Sequence, residues 1–585
     1  MPVKFNVDVL WEELSEPVMN ESYEGLQPRS EVLPKGSSTA PGRRVLSCDI
    51  LVEHDVAIKV RDGCTLYADI YRPPIAPERS TPAILCWSPF GKKFNGIQSL
   101  ELMTPWNLGI PEGTLSGLEK FEAPDPAEFV DRGYAILNVD SRGAFDSEGL
   151  MAIMGTQEAE DGYDVIEWAA KQSWCNGNVG MAGNSHLAIV QWFIAALQPP
   201  SLKAIAPWEG CGDLYREQFA RGGIYGGDLF DNLIIKYMLR GRHGMESFRK
   251  MFKEHPLAND WWNDKRPDMT KINVPTYITG TYTNTMHGMG AIRGWLEVNS
   301  PDKWLRWHPY QEWYDIWGNQ AGSDELLNFF DRYLKGIEND WELTPRVRMA
   351  MLKFGEAAPL DNIIESDFPP PRTEYRKAYL TPKGLSFQQT PTTATAVSYD
   401  SQDENAGVTF KYTFPERTQL MGIPKAVLYM RCDDLDDMDV FLVLEKLSKT
   451  GERLLNFNIP WKNLPVSSIA EIPQEERTEL VLYQGPTGIL RASNRDIDSS
   501  RSMHPNWPFY THEKEEKVPA GTVVRLEIGI WVMGVEYEAG ESIQLRVSGR
   551  YQGISKFGGD HTLNKGTHWV HMGGEYDSHV ELPFV

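Results

Sequence analysis

The segment Asn178-Val-Gly-Met-Ala-Gly-Asn-Ser-His-Leu-Ala188 constrains the fold more than any other part of the chain. Val179, Met181 and Ala182 read as the end of a buried strand, Gly183-Asn184-Ser185 as a tight turn, and Leu187 to Leu197 as an apolar helix. A serine at the apex of strand, turn and helix is the setting of a nucleophile elbow. Such a turn lifts the serine Oγ out of the sheet and aims the following backbone N–H groups at the place where an oxyanion would form. The second glycine usual in that motif is missing, since Leu187 and Ala188 stand there. The flanking chain must therefore carry the assignment.

That chain alternates strands and helices. Thr65-Leu-Tyr-Ala-Asp-Ile-Tyr-Arg alternates apolar and polar residues, as a strand with one buried face does. Ala83-Ile-Leu-Cys-Trp and Tyr134-Ala-Ile-Leu-Asn-Val are fully apolar strands, and Glu158 to Lys171 has helical spacing. This pattern implies a mainly parallel sheet covered by helices on both faces, an α/β class. Residues 1–44 are polar and read as a surface extension. The α/β domain is expected over 45–212 and 267–360, interrupted by a helical cap at 213–266. After Pro369-Pro-Pro-Arg the helices nearly vanish. Short strands such as Ala426-Val-Leu-Tyr-Met-Arg and Ile543-Gln-Leu-Arg-Val-Ser recur between turns, which predicts an all-β jelly roll over 370–585.

The net charge of −23 argues against nucleic acid and anionic membranes as partners, because binding phosphate takes clustered Lys and Arg. The six cysteines are scattered without metal-ligand spacing, and no apolar run reaches the length of a membrane span. The N-terminus has no signal-peptide pattern. A cytoplasmic protein with a small-molecule substrate, no cofactor and no metal is expected, and the reading admits a homodimer.

Several motifs together resemble the cocaine-esterase-like and X-Pro dipeptidyl-peptidase group of α/β-hydrolases. They are Val60-Arg-Asp-Gly-Cys-Thr-Leu-Tyr-Ala-Asp-Ile-Tyr-Arg-Pro, Val139-Asp-Ser-Arg-Gly-Ala-Phe-Asp-Ser-Glu-Gly, Glu160-Asp-Gly-Tyr-Asp-Val-Ile-Glu-Trp and Phe329-Phe-Asp-Arg-Tyr-Leu-Lys-Gly. The resemblance implies an α/β-hydrolase domain, a helical cap, a C-terminal jelly roll and metal-free cleavage of esters or amides by a Ser-His-Asp triad.

The chain departs from that family at three positions. In Gly280-Thr-Tyr-Thr-Asn, Thr283 stands where the resemblance places the acid. In His308-Pro-Tyr-Gln-Glu312, Glu312 stands where it places the histidine. In Ser88-Pro-Phe90-Gly, Phe90 lacks the hydroxyl that a family tyrosine donates to the oxyanion. One explanation is a rearranged triad, in which His287 accepts the Ser185 proton and Glu312 holds the imidazolium; a triad is defined by geometry and role, not by chain order. The other is that hydrolysis has been lost or replaced. An isomerase, cyclase or lyase on a specialised metabolite, or a ligand-binding pseudoenzyme, would retain the pocket. His186, beside the serine, is a further titratable group for either chemistry.

Expected pocket residues are Phe90, Trp208, Glu209, Tyr215 and Tyr282. Asp213 and Arg216 read equally well as an ion pair, and Asp140 and Arg142 as fold supports. The stretch Tyr551 to His571, with Gly558-Gly-Asp-His561 and His568, has no zinc spacing and reads as a packed loop.

Overall fold

In a computed structural model the described residues are 3–19, 23–74, 80–93, 96–103, 105–388, 391–461, 464–551, 559 and 561–585. An eleven-stranded sheet organises the first part of the chain. Its centre is parallel and runs Val347–Met351, Lys303–His308, Thr276–Thr281, Leu202–Trp208, Cys175–Asn184, Thr81–Ser88 and Ala135–Asp140. Antiparallel strands Thr65–Arg72, Ile50–Lys59 and Arg29–Leu33 extend one side, and Leu360–Glu365 ends the other. The fully apolar runs are the central strands because both faces there are covered. On the elbow strand, Val179 and Met181 share a core with Val165 and Trp192, while Ala182 shares the opposite one with Phe330 and Leu334. Helices Thr156–Ala170 and His186–Ala196 supply the first core and Gln320–Lys335 the second.

The last strand of this sheet is Leu360–Glu365. The cap differs from a simple helical insertion. Its segments Leu214–Phe219 and Phe230–Met238 are π-helices, closed by bonds from Ala220 N to Tyr215 O (2.7 Å) and from Leu239 N to Ile234 O (3.0 Å). Short α-helices Phe248–Glu254 and Asp260–Asp264 follow. The N-terminal extension is tied down at two places. Trp11–Glu12 pairs with Met245–Glu246 of the cap, and Arg29–Leu33 is an edge strand of the large sheet.

From Glu374 onward, strands form a nine-stranded and a five-stranded sheet that enclose an apolar core, with Leu428 and Leu582 from the former and Leu442 and Leu545 from the latter. This all-β sandwich packs directly on the α/β domain, where Leu352 N donates to Gly534 O at 2.8 Å. Arg216 of the cap donates to the carbonyls of Tyr510 and Thr511. Among the described residues no helix is long and apolar enough to cross a membrane.

Candidate active site

The elbow strand Cys175–Asn184 ends in a backbone that only a strained turn provides. Gly183 has φ 130°, and a Cβ there would lie 2.6 Å from Leu187 Cβ and 2.9 Å from the Glu122 carbonyl oxygen. Ser185 follows with φ 55° and ψ −122°, an unfavourable region for a side-chain-bearing residue. Bonds from Ser185 N to Glu209 O (3.0 Å) and from Asn184 N to Glu122 O (3.1 Å) fix the turn. His186 opens the next helix, so its backbone N–H has no carbonyl to serve within that helix.

His287 Nε2 lies 3.0 Å from Ser185 Oγ. The histidine sits on the loop after strand Thr276–Thr281. There the Asn284 side-chain oxygen accepts the backbone N–H groups of Met286 (2.8 Å) and His287 (3.0 Å). Burial, and next the neighbouring His186, push the His287 pKa down to about 3, so the ring is neutral. Its other nitrogen, Nδ1, is buried and has no hydrogen-bond partner among the described residues.

Glu312 does not reach that nitrogen. Its Oε2 accepts from Asn184 Nδ2 at 3.1 Å, and its carboxyl also interacts with Asn284. Burial first, then the nearby Glu209 and Glu122, raise its pKa well above the usual carboxylate range. The expected Ser185–His287–Glu312 triad is thus present as a Ser–His pair. Glu312, the first residue of helix Glu312–Trp317, contacts the elbow and the His287 loop instead of the imidazole. Thr283 Oγ1 donates to the Tyr310 carbonyl at 3.2 Å.

His186 is engaged elsewhere. Its Nε2 meets Glu158 Oε1 at 2.9 Å, and the same oxygen accepts from Trp87 Nε1 at 2.8 Å. Despite its burial, Glu158 is held below the usual carboxylate range by His186. His186 thus has a fixed partner beneath the pocket floor.

The chamber over Ser185 is small, about 60 Å³, with apolar walls from Phe90, Met154, Phe230, Leu233, Ile234 and Trp313. Leu480 and Glu479 of the β-sandwich complete it. It adjoins a larger cavity of about 490 Å³ between the cap and the sandwich, and Gln218, Phe230, Thr285, Met286 and Glu479 line both.

Of the expected pocket residues only Phe90 lines this chamber. Trp208 is buried beneath it, edge-on to Tyr277. Glu209 bonds to His308 Nε2, and its Oε2 lies 3.4 Å from Asn284 Nδ2. Tyr215 stacks on Trp262 within the cap and donates to the Pro256 carbonyl. Tyr282 donates to the Ala350 carbonyl at 2.9 Å, facing the sandwich. None of these four lines the chamber: Trp208, Tyr215 and Tyr282 are engaged in internal packing and carbonyl bonds, and Glu209 reaches the site only through Asn284.

Asp213 and Arg216 do pair, at 3.2 Å, and Arg142 pairs with Asp161 at 2.7 Å. Asp140 is buried beside Lys92 at 3.3 Å. His561 pairs with Asp228 at 2.8 Å and His568 Nδ1 lies 3.2 Å from Tyr399 Oη, while Gly558 and Asp560 fall outside the described residues. Among the described residues no group of three or more His, Cys, Asp and Glu has the arrangement of a metal site.

A residue that sequence reasoning passed over completes the site. Glu122, on the loop after Lys120-Phe121, accepts the Asn184 backbone N–H of the elbow on its carbonyl oxygen and turns its buried carboxyl toward Ser185. Trp313 Nε1 donates to Glu122 Oε1 at 3.0 Å. Its only local signal is a positive φ of 68° at a non-glycine position, which no residue pattern announces.

A strained serine on a parallel sheet, a histidine at hydrogen-bond distance and a capped apolar chamber define a protein of the serine α/β-hydrolase class. Comparison with known proteins narrows this. Residues 62–238 match the X-Pro dipeptidyl-peptidase (S15 family) and residues 339–581 the X-Pro dipeptidyl-peptidase C-terminal non-catalytic domain. A crystal structure of a CocE/NonD family hydrolase from Staphylococcus aureus is 31% identical, with a TM-score of 0.81, over 92% of this chain and 94% of that one. The chain belongs to this CocE/NonD family of hydrolases. Cocaine esterase from a Rhodococcus species is 36% identical over 165 residues, 28% of this chain. A putative Xaa-Pro dipeptidyl-peptidase from Streptomyces avermitilis is 26% identical over 245 residues, 37% of this chain. These two alignments span only 25% and 36% of the relatives' own lengths.

Proposed function

We propose that the protein is a serine acyl hydrolase that cleaves an ester, lactone or amide of a small hydrophobic substrate through an acyl-enzyme on Ser185. The observation that carries this reading is the 3.0 Å separation of His287 Nε2 and Ser185 Oγ at a strained elbow. Ser185 Oγ attacks the carbonyl as His287 Nε2 takes its proton. The leaving group departs with that proton, and water then enters by the reverse sequence. The His186 backbone N–H, which acts on the Glu122 carboxyl in the resting site, turns to the oxyanion as it develops. The tight apolar chamber suits the acyl part, and the adjoining cavity the remainder. Glu312 serves as a positioning residue, acting through Asn184 and Asn284 on the elbow and on the His287 loop.

The unpartnered Nδ1 of His287 favours a second reading. Without an acceptor there, an imidazolium is poorly supported, and the pocket suits a slow, specialised or non-hydrolytic acid–base enzyme.

Fluorophosphonate labelling with the adduct mapped by mass spectrometry, together with p-nitrophenyl ester turnover, tests the first reading. Labelling at Ser185 that is lost on His287→Ala is expected. Folded protein that takes no label and turns over no ester would favour the second.

A further inference from the structure

Glu122 lines the chamber together with Ser185, His186 and His287. The chain enters a left-handed backbone at this residue, with φ 68°, while its carbonyl oxygen accepts from Asn184 N at 3.1 Å. The backbone at Glu122 is therefore held to the elbow itself. Oε1 accepts from Trp313 Nε1 at 3.0 Å. The carboxyl lies where both the Ser185 hydroxyl and the His186 backbone N–H act on it, yet Oε2 makes no completed hydrogen bond. The side chain is only 2% exposed. The neighbouring wall is Phe90, which packs edge-on to Phe121 and His186 and offers no hydroxyl.

We propose that Glu122 in its acid form donates a hydrogen bond to the oxyanion formed at Ser185, supplying the donor that Phe90 lacks. This rests on the acyl-transfer reading above. An ionised carboxylate at that position would repel the oxyanion, whereas a carboxylic acid stabilises it. The surroundings keep the proton on. Burial is the leading influence on Glu122 and raises its pKa to about 8, against hydrogen bonds from Trp313, Ser185 and His186 that lower it. Glu312, on helix Glu312–Trp317, is itself raised well above the carboxylate range and faces Glu122 as a second acid. His287, on its loop, is neutral, and His186 is paired with Glu158. Lys120, two residues earlier, directs its ammonium to the carbonyls of Ser88 and Val139. No bond to Glu122 forms or breaks. The proton stays on the acid, strengthens its hydrogen bond as the tetrahedral intermediate forms, and relaxes when that intermediate collapses.

The test measures kcat and KM for a p-nitrophenyl ester from pH 5 to 10, and fluorophosphonate labelling of Ser185, in the wild-type protein, Glu122→Gln and Glu122→Ala. Circular dichroism establishes that each variant is folded. Wild-type kcat is expected to fall above pH about 8 as Glu122 ionises. Glu122→Gln donates at any pH, so it should keep kcat within about tenfold and lose the alkaline fall. Glu122→Ala should lose about 10²–10³ in kcat with KM little changed. The same alkaline fall in Glu122→Gln, or an undiminished kcat in folded Glu122→Ala, would overturn the proposal while leaving Ser185 chemistry intact. Absence of Ser185 labelling and ester turnover in the wild-type protein would overturn both. Should Glu122→Ala not fold, the near-isosteric Glu122→Gln profile decides alone.

Discussion

His287 is a base whose far nitrogen has nothing to lean on. Carboxylate-paired histidines titrate near or above their ordinary value of about 6.5. Here burial and His186 lower the pKa to about 3. The free-base form is the one that accepts the serine proton, and a lowered pKa leaves that form intact until the pH approaches the lowered value. Ester turnover should therefore show no His287 inflection between pH 7 and 5, which a kcat/KM profile checks. The Ser185–His287 pairing was legible because both residues follow strands of one parallel sheet, Cys175–Asn184 and Thr276–Thr281, which end on the same edge with only Leu202–Trp208 between them. The partner of Glu312 was not, since Asn184 and Asn284 come from two other loops and only the folded arrangement brings them to the start of helix Glu312–Trp317. Glu122 was invisible because it reaches the elbow from a loop with no motif of its own.

At the scale of elements, apolar runs identified the central strands, and a helix expected from Glu158 to Lys171 forms over Thr156–Ala170. The π-helical cap was not legible: its aromatic and charged residues fit a helix, but sequence spacing does not reveal the wider winding. Nor were the pairings at Trp11–Glu12 and Met245–Glu246, since two-residue strands leave no alternation to read. The strand-to-helix turn makes the sharpest demand on sequence. Gly183→Ala would force a Cβ between Leu187 and the Glu122 carbonyl at φ 130°. The variant should lower the melting temperature by several degrees, corresponding to about 1–3 kcal/mol. It should also cut Ser185 labelling at least about 100-fold, because displaced reacting groups lose much of their rate. Thermal melts and labelling kinetics measure both.

For the whole molecule, the three-part architecture was readable from alternation followed by an all-strand region. What composition could not convey is that the C-terminal sandwich forms part of the site. Leu480 and Glu479 close the chamber over Ser185. Leu480→Ala, far from the elbow in sequence and only partly buried, should change the preference between short and long acyl esters by about threefold to tenfold in kcat/KM, with little change in melting temperature. A series of p-nitrophenyl esters measures this. The N-terminal extension has an effect of its own. Besides pairing its strand with the cap, it sends Leu10 O to Ser247 N (2.8 Å), Trp11 O to Lys250 Nζ (2.8 Å) and Ser15 O to Gly241 N (3.1 Å). A roof stitched to the N-terminal extension in this way cannot lift alone: any movement of the cap that widens the way to Ser185 carries that extension with it or breaks those bonds.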